Sequence, residues 1–133
     1  MAHKVDWHGV FPAVPTQFHD DLTLDLPSTQ KHVEALMEEG VHGLIMLGTI
    51  GENCSLSLDE KVAVLKATKE VCQDQLPLLT GVAEYTTGGA CQTARAAADA
   101  GADGLMVMPG MVYHSDRRET VNHFRTVAAA TDL

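Results

Sequence analysis

Residues 39–47 read EGVHGLIML, and residues 100–108 read AGADGLMVM. The two stretches share the position of both glycines and an apolar run after the second, with Gly101 lying 61 residues after Gly40. A glycine just past a helical pattern marks a C-cap, where the left-handed conformation costs glycine least. The apolar run that follows reads as a strand. Two βα units of roughly 30 residues each fill the interval. The echo therefore marks successive helix-stop, strand-start junctions of a repeating parallel βα chain. The runs do not alternate in polarity, which predicts strands buried on both faces.

Working outward from this echo, hydrophobic periodicity predicts strands over 8–16, 42–47, 77–82 and 104–108. Helices are predicted over 26–39, with Val33, Leu36 and Met37 on one face, and over 57–72, 87–100 and 116–130. Residues 57–60, SLDE, form a capping box, in which hydroxyl and carboxylate satisfy free N–H groups of the first turn. No linker, low-complexity tract or composition shift divides the chain. Four βα units leave two long apolar edges unpaired, because a (βα)8 barrel takes about 250 residues and a doubly wound sheet usually has five or six strands. We therefore expect residues 1–133 to be the N-terminal half of a single barrel domain, or a half-barrel that closes on another chain.

Composition narrows the function classes. At 133 residues with 45% hydrophobic and 20% charged side chains, the chain has the make-up of a globular domain and can bury a core. A formal net charge of −9 disfavours nucleic acid and anionic membrane surfaces as partners. Cys54, Cys72 and Cys91 are odd in number and widely spaced, which argues against a disulfide framework and for a reducing compartment. The first twelve residues, MAHKVDWHGVFP, lack the apolar core of a signal peptide, and no run approaches a membrane span. The expected location is the cytoplasm.

In parallel βα folds the segments after the strands share one face, and that face carries the site. Here they are residues 15–16, 48–53 (GTIGEN), 83–85 and 109–114. Gly48 and Gly51 allow a close backbone approach and present N–H groups, which suits a carboxylate or an enolate oxygen better than a metal. The plainer alternative is a βα turn whose glycines serve geometry alone. Phosphate binding has little support, since neither Gly-x-Gly-x-x-Gly nor a P-loop is present. Tyr85 and Tyr113 fit either half-buried loop aromatics or site residues. Met106, Met108 and Met111 read as core filler. The seven histidines show no ligand spacing, so a metal site is not expected; His32 and His123 fall on helices as surface or packing residues, and residues 19–21 (HDD) read as a solvated turn. Lys4, Lys31, Lys61, Lys66 and Lys69 all fall before the first strand or on helices, where solvent-facing positions are expected. None is placed to act as a desolvated amine nucleophile.

Residues 9–16 (GVFPAVPT), 48–52 (GTIGE) and 101–109 (GADGLMVMP), with a tyrosine shortly after, resemble the dihydrodipicolinate synthase and N-acetylneuraminate lyase family of class I aldolases. The likeness runs through essentially the whole chain, in order and with matching spacing. It implies a (βα)8 TIM barrel, of which this chain supplies about the first four βα units, and a homo-oligomer, usually a tetramer. It also implies enzymes that join or cleave pyruvate and related 2-oxo acids, or dehydrate or deaminate them, through a lysine Schiff base and without a cofactor. On that resemblance Thr49 matches the threonine that relays protons and orients substrate, and Gly48, Thr49, Ile50, Gly51 and Glu52 form the carboxylate-binding turn. Ile50 departs from the family's second hydroxyl residue and leaves only backbone N–H groups at that point. Tyr113 falls near the tyrosine that reaches across a dimer interface. The family's essential tyrosine and Schiff-base lysine lie on later strands, after the point where this sequence stops. Residues 109–114 and 51–53 look more like catabolic members, acting on sugar-derived 2-oxo acids or hydroxyproline-derived imines, than like lysine-biosynthetic synthases. A second hypothesis of a different class is a non-catalytic half-barrel that serves as an assembly module.

Overall fold

A computed structural model describes residues 5–133. Seven elements follow one another: α1 (Leu26–Glu38), β1 (Leu44–Met46), α2 (Leu58–Cys72), β2 (Leu78–Val82), α3 (Thr87–Asp99), β3 (Gly104–Val107) and α4 (Arg117–Ala128). A single 3-10 turn, Asn53–Ser55, interrupts the path from β1 to α2. The three strands form one parallel sheet in the order β1-β2-β3, with Leu44 opposite Leu78 and Leu79 opposite Gly104. Sequence order and sheet order coincide, as in an arc of a barrel in which each helix returns the chain to the next parallel position.

The strand expected over 8–16 is not a continuous strand. A single parallel bridge, Ala13 to Ile45, stands in its place. Pro12 and Pro15 carry no N–H and cannot donate to a ladder. The segment still runs beside β1: the Val14 N–H donates to Ile45 O (2.9 Å), Ile45 N–H to Pro12 O (3.0 Å) and His42 N–H to Val10 O (2.9 Å). The position is that of a first barrel strand, held by the bonds the prolines leave available. The other three strands are each one to three residues shorter than expected.

Every helix begins on a side-chain cap. Asp25 accepts from Ser28 N–H (2.9 Å) and Thr86 from Gly89 N–H (3.0 Å). The Ser57–Glu60 capping box forms as expected, and α4 has a second one between Asp116 and Glu119. Each such cap stabilises its helix by about 1 kcal/mol. Gly40 and Gly101 stand just past the C-caps of α1 and α3 at φ of 78° and 92°, the left-handed turn the echo implied.

The strands are not dry on both faces. Leu44, Met46, Leu78 and Val82 are fully buried against the helix layer, together with Val33, Val64, Leu65 and Ala97. Ile45 and Leu79, which alternate with them, are only half-buried. Met106 on β3 is exposed, and Met111 lies well out in solvent at 67% exposure, so neither is the core filler expected of it. The sheet thus has one packed face and one open apolar face, as befits an arc whose concave side awaits other strands.

Candidate active site

The segments after the three strands and after the proline-containing segment gather at one end of the sheet. Beyond Met46 the ladder stops and Leu47 enters the left-handed region at φ 54°; Glu52 does the same at φ 58°. Between them the chain folds tightly on itself, with Glu52 N–H donating to Thr49 O (3.1 Å). Gly51 is a steric requirement, because a Cβ there would stand 2.8 Å from Leu47 N. Gly48 is not: its Cβ would meet the Met106 methyl at 3.5 Å and Ile45 Cγ2 at 4.0 Å, both ordinary contacts. What Gly48 does is keep the open face of the sheet clear. Thr49, Ile50 and Glu52 are exposed, Ile50 at 58%. The loop is pinned from the first segment by Thr16, whose buried hydroxyl donates to Gly51 O (2.7 Å). It is pinned from the other side by Asn53, which is 2% exposed and reaches two strand ends.

The loop after β2 carries a polar network that the sequence reading missed. Lys61, expected in solvent, is 5% exposed and its Nζ lies 2.6 Å from Glu84 Oε1. The same carboxylate oxygen accepts from the Thr93 hydroxyl (2.8 Å). One side chain of the β2-α3 loop is thereby tied to both flanking helices. Lys61 is not a free side chain, because it is paired with the Glu84 carboxylate. Lys31 and Lys66 are exposed, Lys69 contacts Asp74 (3.3 Å) and Asp103 (3.6 Å), and Lys4 lies outside the described residues.

Tyr85 and Tyr113 are not half-buried. They are 71% and 76% exposed, and both line a 560 Å³ cleft with Pro109, His114 and His123. His123 is buried packing: its Nε2 lies 3.1 Å from Met108 O and its Nδ1 2.9 Å from Thr87 Oγ1. The carbonyl can only accept, so Nε2 carries a proton, and in the neutral ring Nδ1 accepts from the threonine. Among the described residues no hydrogen bond joins Thr49 to Tyr113, and no group of three or more His, Cys, Asp or Glu side chains converges. All three cysteines are free thiols, with Cys54 exposed beside the loop and its Sγ 3.8 Å from Ala83 O. No helix among the described residues is long and apolar enough to cross a membrane.

The parallel βα arc has counterparts among known proteins. The sequence profile of the Dihydrodipicolinate synthetase family matches residues 6–133. This chain belongs to that family. A 4-hydroxy-tetrahydrodipicolinate synthase of Haloarcula marismortui is 34% identical over 129 residues, covering 97% of this chain and 42% of that protein. A DapA-like lyase of Halobacterium salinarum is 38% identical over 125 residues, covering 94% of this chain and 41% of that one. The crystal structure of the Escherichia coli K12 prophage protein YagE, a member of the family solved in complex with pyruvate, superposes with a TM-score of 0.90 at 29% identity. That match covers 96% of this chain and 43% of YagE. The chain thus spans about two-fifths of the length of the relatives it matches, as four βα units of a (βα)8 barrel do. Family membership and the expected fold class both hold.

Proposed function

We propose that residues 1–133 serve as the N-terminal half of one (βα)8 barrel domain in a Schiff-base lyase or synthase acting on pyruvate or a related 2-oxo acid. The observation that carries this reading is the Gly48–Glu52 loop. It is anchored by buried hydrogen bonds on both sides, yet it leaves Thr49 exposed at the end of the sheet where barrel sites form. In this reading the amides of residues 48–51 hold the substrate carboxylate, and Ile50 contributes only its N–H. Thr49 relays protons together with a tyrosine from later strands, and Glu52 closes the turn. A lysine supplied by later strands condenses with the ketone, and the protonated imine accepts the electron pair of the breaking bond. The solvent-facing Tyr113, beside the exposed Met111 and Val112, suits a contact with a second protomer in a homo-oligomer. Two relatives in the family, YagE and the synthase of Acinetobacter baumannii, were solved in complex with pyruvate, which supports the substrate class.

The test is the intact mass of the natural protein bearing this sequence after incubation with pyruvate and borohydride, which fixes an imine as a stable amine. A mass above 14.3 kDa with one pyruvyl group added per chain is the expected result. A protein of 14.3 kDa with no adduct would refute the lyase and favour an assembly module.

A further inference from the structure

We infer that Asn53 is a positioning residue: its side-chain amide clasps the ends of β1 and β2 and thereby fixes where Thr49 and the loop amides stand. This rests on the reading of the Gly48–Glu52 loop given above. The need for a clasp follows from the backbone. The β1-β2 ladder ends at the pair Met46 and Thr80, after which Leu47 swings into the left-handed region. Two carbonyls, of Leu47 and Gly81, are left where the strands diverge, among residues that are all buried. Buried carbonyls without a donor each cost about 1–3 kcal/mol, and the Thr80 hydroxyl reaches Gly81 O only at 3.4 Å. Asn53 Nδ2 donates to both, at 2.7 Å to Leu47 O and 3.0 Å to Gly81 O.

The residue type follows from this arrangement. Two acceptors call for two donors on one atom, which a neutral amide supplies. Aspartate would set its own oxygens against both carbonyls, serine would supply one donor, and leucine none. The amide's orientation is fixed for the same reason, and Asn53 Oδ1 is left buried without a partner. The close approach also depends on Gly81, since a Cβ there would sit 2.0 Å from Leu47 O and 3.3 Å from Gly48 Cα. The Leu47-Gly48 peptide therefore lies flat on Gly81, and Asn53 holds it there. Thr49 begins one residue later. The clasp thus acts on the proton-relay hydroxyl through a single intervening residue, without contact between Asn53 and substrate.

The experiment compares Asn53→Ala, Asn53→Ser and Val64→Ala in the natural protein bearing this sequence. Val64 is fully buried in the core and takes no part in the clasp's hydrogen bonds, so its truncation destabilises without removing a donor from it. Two readouts are taken: hydrogen exchange of the amides of residues 48–53, and the pyruvate concentration giving half-maximal borohydride trapping. The expected result is a tenfold or greater acceleration of exchange and a tenfold or greater rise in that concentration for Asn53→Ala. Asn53→Ser, which keeps one donor, should fall between it and wild type, and Val64→Ala should change neither readout beyond twofold. Asn53→Ser decides the matter where the alanine variant does not fold. Exchange and half-trapping within twofold of wild type in Asn53→Ala, or a Val64→Ala that reproduces both effects, would overturn the inference. If wild type traps no pyruvate, the lyase reading fails and exchange alone tests the clasp.

Discussion

Removing Glu84 should cost far more than removing Lys61, because the two partners are buried to different depths. The Lys61 side chain is 6% exposed and that of Glu84 23%. Breaking a buried pair from one side costs roughly 3–5 kcal/mol, since the remaining charge is stranded. In Glu84→Ala the stranded group is an ammonium with almost no access to water, and the partial exposure of the lost carboxylate reduces the cost only to about 2–4 kcal/mol. In Lys61→Met the remaining carboxylate still accepts from Thr93 and reaches solvent, while the methionine fills the apolar space of the lysine stem. That substitution should cost about 1 kcal/mol. The double variant should be no worse than Glu84→Ala, giving a coupling of about 1–2 kcal/mol, well above the 0.3–0.5 kcal/mol scatter of independent sites. The assay is urea unfolding of the four proteins, followed by circular dichroism at constant m-value. Equal losses from the two single variants, adding within about 0.5 kcal/mol, would refute the claim that this is a buried, mutually dependent pair.

Three shorter predictions come from other parts of the molecule. Gly81→Ala should destabilise by about 1–3 kcal/mol or more, because backbone must move, whereas Gly48→Ala should cost under about 1 kcal/mol; thermal midpoints of the two variants check the contrast. The Asp25 carboxyl is held below its ordinary value of 3.8 by the hydrogen bond from the Ser28 N–H at the start of α1. Its contribution to stability is therefore complete above that value and is lost as pH falls through the lowered one, so acid unfolding should be less steep in Asp25→Asn, which keeps an acceptor but does not titrate. Burial pushes the Cys72 thiol up, and Cys91 is buried too, so peptide mapping after brief iodoacetamide treatment at neutral pH should show Cys54 modified and the other two protected until the protein unfolds.

Much of this fold was legible because its signals are local. Gly40, Gly101 and the Ser57 capping box each report on a few neighbouring residues, and each falls where periodicity put it. Pro12 and Pro15 were equally legible and should have reduced the first strand to an edge with few bonds. Lys61 was readable as well: with Val64, Leu65, Thr68 and Cys72 it forms the buried stripe of α2, at helical spacing. A lysine on that stripe requires a buried counter-charge, which reading lysines as solvent-facing by type overlooked.

The loop itself divides along the same line. Its turn chemistry is local, and residues 47–53 alone put a tight turn at Gly48 and Gly51, of which Gly51 is the one sterically required. Its anchors are not local: Thr16 reaches Gly51 across 35 residues and Asn53 reaches Gly81 across 28. Neither hydroxyl nor amide announces in sequence which distant carbonyl it serves, so both look like ordinary loop residues until the strand register brings the partners together. The consequence bears on what position 50 can tolerate. The turn is held by the Thr16 hydroxyl on Gly51 O and by the Asn53 amide on Leu47 O and Gly81 O, so the exposed Ile50 side chain is not needed to keep it in place. The loop's position is secured by residues 16 and 53, which leaves position 50 free to vary.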